Sequence, residues 1–289
     1  MTSPRDEVAR FSYLQWQPLY ETEKPFQVFS NISCSALEQR STNLHFIDGE
    51  PQTIHDIRGR ESEFGLDRNG FMIRKDEMRE ADLTTEEGFR RDYLPHIENM
   101  MKEHVADIDH MVCFDWGFRK NVPLRKDRIN VNDRMQLLEP ARQVHCDQSP
   151  AGALQRLQRH APEYTKAAYE GRLRIINVWR PLNHPVEDNA LAVCDGQTIE
   201  DRDLVEADHI TRLYLGRTMY GLQSPQHKWY YLNHQCPNEL LFIKIFDSDS
   251  TVPAPRSLHA SFDHSQKREN APPRESVEVR FLVITEARQ

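Results

Sequence analysis

The sequence lacks the cysteine pattern of a disulfide scaffold or of a structural zinc site. Its five cysteines are odd in number, lie far apart and form no C-x-x-C pair. Both kinds of site need cysteines in pairs, and zinc sites need them at short spacing. The pattern therefore indicates a protein of a reducing compartment.

Long apolar runs and an excess of basic residues are also missing. The first residues, MTSPRDEVARF, include acids and no apolar core of a secretory signal. No run approaches the ~20 apolar residues that cross a bilayer. The 37 Lys and Arg residues are outnumbered by 45 Asp and Glu, which gives a formal net charge of -8. We therefore expect a cytoplasmic protein that does not bind nucleic acid or membranes.

The chain shows no repeat and no evident linker, so we expect a single domain over residues 1–289. LHFIDGEPQTIHDIRG predicts a hairpin, and TTEEGFRRDYLPHIENMMKEHV predicts an amphipathic helix in which Pro95 could cause a kink. Residues 1–105 should pack on a core formed by residues 106–289. A helical insert is expected at about 150–170, in PAGALQRLQRHAPEYTKAAYEG.

The second half of the chain consists mainly of short β-prone runs separated by turn residues. Together with the apolar run HMVCFDWGFRK, they predict a mostly β fold of sandwich or barrel type with flanking helices. The runs are LRIINVWRPL, ALAVCD, ITRLYLG, KWYYLNHQ, ELLFIKIFDS, HASFDH and ESVEVRFLVIT.

The segment RQVHCDQSP contains a histidine and an aspartate, His145 and Asp147, two residues apart in a β-prone run. Side chains at i and i+2 of a strand point to one face, so both could reach one metal ion. Cys146 between them should point away and fill the core. An H-x-D triplet alone is more often a pair of polar surface residues, so the metal hypothesis needs a third ligand.

Two of the thirteen histidines, His234 and His259, lie in predicted downstream strands and are candidates for that ligand. Arg274 and Ser276 follow His259, and their R-x-S spacing presents a guanidinium and a hydroxyl on one face. This pair suits the distal carboxylate of 2-oxoglutarate, because arginine binds carboxylates in bidentate fashion. After His234 the next basic residue is Lys244, so His259 is preferred. Two histidines and one carboxylate suit Fe(II) and leave positions for a co-substrate and O2.

These motifs resemble those of the Fe(II)/2-oxoglutarate-dependent oxygenases. INVWRPLNHPVEDNALAVCD, HKWYYLNHQCPNELLFIKIFDSDS and PRESVEVRFLV are similar to the fungal CmcJ/AsaB-like branch of gibberellin-desaturase-like hydroxylase/desaturases, and the resemblance covers about residues 45–285. It implies a double-stranded β-helix (jelly-roll, cupin-like) core that uses Fe(II), 2-oxoglutarate and O2. It also implies hydroxylation, desaturation or cyclisation of a small secondary metabolite, with release of succinate and CO2.

The resemblance implies iron ligands at His145, Asp147 and His259 but leaves the co-substrate arginine open. Arg274 follows His259 by fifteen residues, more than is usual in the family. Arg280 lies six residues after Arg274 in the same β-prone run and should point to the same face of the sheet, so it is a second candidate. Arg180 in NVWRPL is a third candidate.

No motif fixes the residues that contact the substrate. We expect the pocket to be lined by the N-terminal third, the insert after Pro150 and residues 212–225. A metal-independent cyclase or isomerase and a non-catalytic binding protein on the same fold are alternative functions, and the sequence does not decide between a monomer and a homodimer. The candidate substrate-binding residues are Trp179, Trp229, Tyr231 and Lys244.

Overall fold

The computed structural model describes residues 5–29, 32, 39–77, 80–123, 133–211 and 214–288, and most of their regular structure is β-strand. The strands are β1 Glu7–Ala9, β2 Ser12–Leu14, β3 Phe26–Val28, β4 Phe46–Asp48, β5 Gln52–Asp56, β6 Phe71–Lys75, β7 His110–Lys120, β8 Leu137–Leu138, β9 His145–Cys146, β10 Arg172–Pro181, β11 Asn189–Cys194, β12 Leu204–Ile210, β13 Leu215–Gly221, β14 Trp229–Tyr231, β15 Glu239–Asp247, β16 His259–Asp263 and β17 Glu275–Thr285.

The helices of the described ranges are short, and none is long and apolar enough to cross a membrane. The α-helices are α1 Leu66–Asn69, α2 Glu86–Gly88, α3 Leu94–His104, α4 Pro150–His160 and α5 Thr165–Glu170. A π-helical turn, Phe89–Tyr93, joins α2 to α3. Single 3-10 turns are Pro18–Glu21, Glu61–Glu63, Pro162–Tyr164, Gly196–Thr198 and Asp201–Asp203.

The strands form two large sheets and one small one. The nine-stranded sheet has the order β1-β5-β14-β11-β16-β9-β13-β12-β3, the six-stranded sheet has the order β6-β15-β10-β17-β7-β8, and β2 pairs with β4. One buried apolar cluster contains side chains of both large sheets, such as Ile175 of β10 and Ala192 of β11. The two sheets therefore pack face to face, as the sequence predicts for a sandwich-type core.

Alternate residues of the six-stranded sheet face two different cores. On β10, Leu173 and Ile175 face the space between the sheets, whereas Ile176 and Val178 pack in a second cluster with α3. Ten consecutive residue pairs join β10 to β17, from Arg172↔Thr285 to Pro181↔Ser276. This alternation decides which side chains of the two central strands can reach the inside of the sandwich.

The helix predicted from TTEEGFRRDYLPHIENMMKEHV is confirmed, with a π turn just before Pro95, which lies in the first turn of α3. The Thr85 hydroxyl caps its start by accepting a hydrogen bond from the Gly88 N–H at 3.0 Å. Pro95 has no N–H to donate and its ring collides with the preceding turn of a regular α-helix. The wider π turn at Phe89–Tyr93 precedes α3, which buries Ile97 against the six-stranded sheet.

The helical insert is also confirmed, and its start follows from the sequence QSP. The Ser149 hydroxyl accepts from the Gly152 N–H at 3.1 Å, and Pro150 occupies the first helical position, where no N–H is needed. Helix α4 therefore begins directly after the H-x-D segment.

Two local predictions are wrong. The segment 44–59 is not a hairpin, because β4 pairs with β2 while β5 pairs with β1 and β14. ITRLYLG is not one strand but contains the connection between β12 and β13, with Arg212 and Leu213 outside the described residues. Strands β12 and β13, on either side of this connection, were not predicted in full. Their segments LVEADHI and GRTMYG carry acids, a histidine or glycines, which are uncommon in strands.

Candidate metal centre and adjoining cavities

Strand register brings the two histidines of the predicted metal centre together. His145 of β9 is the direct antiparallel partner of His259 of β16, and their ring centroids lie 4.3 Å apart. Since neighbouring strands fix this spacing, residues more than a hundred positions apart in the sequence form one site.

Asp147 completes the group directly after β9 ends. Its carboxylate lies 3.6 Å from His145 Nε2 and 3.7 Å from His259 Nε2. One ligand atom of each of the three residues lies within 4.8 Å of the others. The three residues predicted from H-x-D and the distant histidine are therefore brought together.

The carboxylate of Asp147 is held from the opposite sheet. Asn177 Nδ2 of β10 donates to Asp147 Oδ2 at 2.5 Å, and Arg280 Nη2 of β17 lies 3.3 Å from Asp147 Oδ1. The pKa of this carboxyl is held well below its usual range: burial would raise it, but the nearby positive charge of Arg280 outweighs that effect.

His145 directs its unprotonated nitrogen, rather than a proton, toward Asp147. His145 Nδ1 lies 2.8 Å from the Gln143 carbonyl oxygen, which can only accept, so Nδ1 carries the proton and Nε2 is free. Burial, followed by the neighbouring His145, lowers the pKa of His259 to about 4, so its imidazole is neutral at pH 7. Two nitrogen lone pairs and a carboxylate facing one another fit a divalent cation.

Cys146 takes no part in this group. Its thiol is fully buried in the apolar core and donates to the Ile245 carbonyl at 3.0 Å. Burial raises the pKa of Cys146 to about 12, so the sulfur stays protonated. The other candidate ligand, His234, is an exposed residue with φ +48° whose ring neighbours His264, away from the three ligands.

The inner face of β17 carries a row of polar side chains beside the metal centre. Arg274 precedes the strand, and Ser276, Glu278 and Arg280 follow at intervals of two, all of them buried or nearly so. Arg280 contacts three carboxylates, those of Asp115, Asp147 and Glu278. Burial opposes its charge, but these carboxylates outweigh that effect and raise its pKa.

Arg274 has a different environment. Its Nη1 donates to the Asn189 carbonyl at 3.0 Å, while its Nε and the Ser276 hydroxyl are buried without a hydrogen-bond partner in the described part of the chain. Burial lowers the pKa of Arg274 to about 9. We call the small cavity that joins Arg274 to the two histidines the Arg274 cavity, and its apolar walls are Trp179, Leu191 and Ile243.

Arg180, the third candidate for the carboxylate, does not reach this cavity. It follows Ile176 and Val178 on the face of β10 that packs toward α3, where it forms an ion pair with Asp76. Its guanidinium lies over the Tyr93 ring. The expectation for Arg180 is corrected by strand parity, since Trp179 and Arg180 must point to opposite faces.

Three of the four candidate substrate residues also lie elsewhere. Lys244 is buried in an ion-pair network with Asp67 and Asp247, Trp229 packs on Phe11 in the core, and the Tyr231 hydroxyl donates to the Arg5 carbonyl. Each has partners that account for its burial, so these expectations are corrected. Trp179 does face the inside, with the Arg274 guanidinium 5.6 Å from its ring centroid.

A second cavity, of about 300 Å³, also reaches Asp147, and we call it the large cavity because it exceeds the Arg274 cavity. A wider cavity of about 630 Å³ shares part of this lining and reaches both His145 and Asp147. Phe29 comes from the N-terminal third, Arg156 from α4 and Tyr214 from the 212–225 stretch, so each segment expected to line a substrate pocket contributes. The lining also includes Trp116, His209 and Thr218.

Glu278, Asp115 and Arg156 line the cavity beside Asp147 but were not predicted from the sequence. Glu278 could have been found, because R-x-S-x-E-x-R continues the alternation that Arg274 and Ser276 begin. Asp115 lies opposite Arg280 in the register of β7 and β17, and Arg156 depends on how α4 docks. Neither relation is visible in the local sequence.

Comparison with known proteins agrees with this geometry. The family described as "Oxidoreductase/YMDC permease-like domain" matches residues 11–284. The "Fe(II)/2-oxoglutarate-dependent dioxygenase nvfI" of Aspergillus novofumigatus is 36% identical over 243 residues, 80% of this chain and 82% of the relative. The "Hydroxylase/desaturase efuI" of Hormonema carpetanum is 30% identical over 263 residues, 85% of this chain and 87% of the relative.

A solved structure has the same fold. The "iron and alpha-ketoglutarate-dependent endoperoxidase NvfI" superimposes with a TM-score of 0.80 at 29% identity, covering 98% of this chain and 99% of the other. The mostly β, jelly-roll prediction is thereby confirmed. The match spans nearly the whole chain, and the chain belongs to this oxidoreductase family, the Fe(II)/2-oxoglutarate-dependent oxygenases.

Proposed function

We propose that His145, Asp147 and His259 bind Fe(II) and that the protein uses 2-oxoglutarate and O2 to oxidise a small secondary metabolite. The observation that carries this proposal is the group of three ligand atoms within 4.8 Å of one another. Two neutral imidazoles and one carboxylate are the donor set of non-haem iron oxygenases, which leaves the remaining positions open.

We further propose that Arg274 and Ser276 bind the distal carboxylate of 2-oxoglutarate. Arg280 is already paired with three carboxylates and Arg180 with Asp76, whereas the guanidinium of Arg274 forms no ion pair in the described ranges. A buried guanidinium without a counterion is costly, and a bound carboxylate removes that cost. The Ser276 hydroxyl, also unpartnered, supplies a second donor.

When bound, the iron and its co-substrates supply the oxidising chemistry, and succinate and CO2 are released. The residues of the chain supply position and a dry environment. Asn177 and Arg280 hold the Asp147 carboxylate in place, and the Gln143 carbonyl fixes the protonated nitrogen of His145. Hydroxylation, desaturation and cyclisation share one metal site, so the outcome depends on how the large cavity orients the substrate.

We infer that residues 1–289 act as one oxygenase domain in the cytoplasm. Strands from Glu7 to Asp263 share the nine-stranded sheet, and strands from Phe71 to Thr285 share the six-stranded one, which supports a single unit. The formal net charge of -8 disfavours binding to nucleic acid.

The test is a visible charge-transfer band in anaerobic protein given Fe(II) and 2-oxoglutarate. His145→Ala and Asp147→Ala should abolish the band, because each removes one of three ligands. His234→Asn is the matched control: it removes an exposed histidine, the other candidate ligand, and asparagine tolerates the positive φ of that position. Its band should equal that of the wild type.

A band that survives loss of either ligand would contradict the ligand assignment. Turnover that continues after a chelator removes the metal would favour a metal-independent cyclase or isomerase. Absence of any band and of any succinate formation in the wild type would favour a binding protein.

A further inference from the structure

Helix α4 turns an arginine, Arg156, toward the large cavity. The same cavity is lined by Asp147 and by Arg280, so Arg156 lies on a surface continuous with the metal centre. The charge of Arg280 is close enough to act on Arg156.

No residue in the described ranges neutralises Arg156. Its Nε is buried without an acceptor, and its guanidinium forms no ion pair there. The nearest acid that acts on it, Asp115, is already bound by Arg280 at 2.8 Å. Burial lowers the pKa of Arg156, which shows that its charge is poorly solvated. Charged groups in such places are normally paired, and a bound anionic ligand would supply the partner that the described residues do not.

The surroundings of Arg156 are aromatic. Its guanidinium carbon lies 4.3 Å from the Tyr214 ring centroid and 5.4 Å from that of Phe114. Phe29 and Trp116 line the same cavity. Stacking on the rings fixes the plane of the guanidinium and leaves its edge as a fork of donors, which suits a carboxylate.

We propose that the substrate is an apolar molecule with one carboxylate, and that Arg156 binds this carboxylate in the large cavity. The apolar body then lies against Phe29, Trp116 and Tyr214. The substrate class deepens the proposed function and rests on it, since the metal centre is what the bound molecule would face.

The experiment compares two probes of equal shape, 2-naphthoate and 2-naphthamide, by calorimetric titration. The protein is anaerobic and holds Fe(II) with saturating 2-oxoglutarate, so that the Arg274 cavity is filled and cannot bind the naphthoate. The wild type should bind the acid about tenfold to a hundredfold more tightly than the amide, because hydrogen bonds to charged groups are the strong ones.

Arg156→Met should lose this preference and keep the affinity for the amide, whereas Arg156→Lys should retain part of the preference. Arg159→Met is the matched control. Arg159 is an exposed residue of the same helix, and its guanidinium lies 4.8 Å from the same Tyr214 ring, outside the cavity lining. It removes the same charge from α4 and should leave the preference unchanged.

Three results would overturn the proposal: no preference for the acid in the wild type, an unchanged preference in Arg156→Met, or an equal loss in Arg159→Met. Thermal melting curves of the variants identify a folding defect, and Arg156→Lys then carries the test. The same titration in metal-free protein separates this proposal from the proposed function. Failure to bind iron and 2-oxoglutarate would remove the charge-transfer band. In that case the difference in acid preference between the wild type and Arg156→Met would still report on Arg156, because both proteins keep the same Arg274 cavity.

Discussion

The clearest contrast among the buried arginines is between Arg274 and Arg180. Both side chains are almost completely buried, and both were candidates for the 2-oxoglutarate carboxylate. Arg180 is paired with Asp76, while the Arg274 guanidinium has a single hydrogen bond, to the Asn189 carbonyl, and forms no ion pair in the described ranges; only the backbone N–H of Arg274 donates to the Asp188 carboxylate. Replacing each arginine by methionine removes the charge and keeps an unbranched apolar stem, so the two variants should behave in opposite ways.

The magnitude for Arg274→Met follows from its burial. Burial lowers the pKa of Arg274 to about 9, well below the ordinary value of an arginine, so the charged form is disfavoured by roughly 5 kcal/mol relative to water. Replacing Arg274 by methionine also removes its hydrogen bond to the Asn189 carbonyl, which contributes about 1 kcal/mol to stability. The free energy of unfolding of the protein without ligands should therefore stay the same or rise.

The affinity of Arg274→Met for 2-oxoglutarate should fall sharply. A bidentate pair loses two charge-assisted hydrogen bonds, each about 1.5 kcal/mol or more, which is on the order of a hundredfold in Kd. Arg180→Met should keep that affinity and instead lose about 3 kcal/mol of stability, because it leaves Asp76 buried with only His96 beside it.

The assay titrates 2-oxoglutarate into anaerobic protein that holds Fe(II) and follows the charge-transfer band, while urea unfolding gives the stability of each variant. Unchanged affinity in Arg274→Met would refute the assignment of the carboxylate site. A hundredfold loss in Arg180→Met with native stability would show that the arginine on the other face is the one that matters.

Two further predictions concern the metal centre. In metal-free protein the folded-state pKa of His259, about 4, lies below the unfolded value of 6.5, so the unfolded chain takes up the proton first and stability falls as the pH drops from 6.5 toward 4. At pH 5 this effect lowers the free energy of unfolding by about 2 kcal/mol. Urea unfolding at pH 7 and pH 5 should therefore show that His259→Gln loses about 2 kcal/mol less stability between the two pH values than the wild type does. An equal loss in both proteins would contradict the prediction. Asn177→Ala should weaken Fe(II) binding by about tenfold to a hundredfold in a metal titration, because it frees the Asp147 carboxylate, and an unchanged affinity would mean that Arg280 alone holds it.

The grouping of His145, Asp147 and His259 could be predicted because it is indicated by short-range sequence patterns. The i, i+2 rule brings His145 and Asp147 together, and the R-x-S pair after His259 selects it over His234. The direct pairing of His145 with His259 is a matter of sheet register, which single-sequence patterns do not encode.

The predictions from sequence were least accurate for features that depend on contacts between distant parts of the chain. The segment 44–59 has the alternation and turn of a hairpin, yet its two strands pair with partners from other parts of the chain. Lys244, Trp229 and Tyr231 were assigned to the substrate by residue type, but Lys244 is held by an ion pair, the Trp229 ring packs on Phe11 in the core and the Tyr231 hydroxyl donates to a backbone carbonyl. A buried polar residue indicates a ligand only when its partners are known to be missing, and that information is absent from the sequence.

The wall formed by β17 explains how one sheet can serve a dianionic co-substrate beside an iron ligand. Three carboxylates, Asp115, Asp147 and Glu278, are joined through ion pairs with two arginines, Arg119 and Arg280, so this cluster alone carries one negative charge. A divalent cation on Asp147 reverses that charge to plus one. The Arg274 guanidinium, just before the strand, adds one more positive charge, which the nearby Asp188 carboxylate partly offsets, so the wall with its cation would be positive toward the two carboxylates of 2-oxoglutarate. Without the metal the same wall is neutral at best, so binding of the cation creates the charge that the co-substrate neutralises.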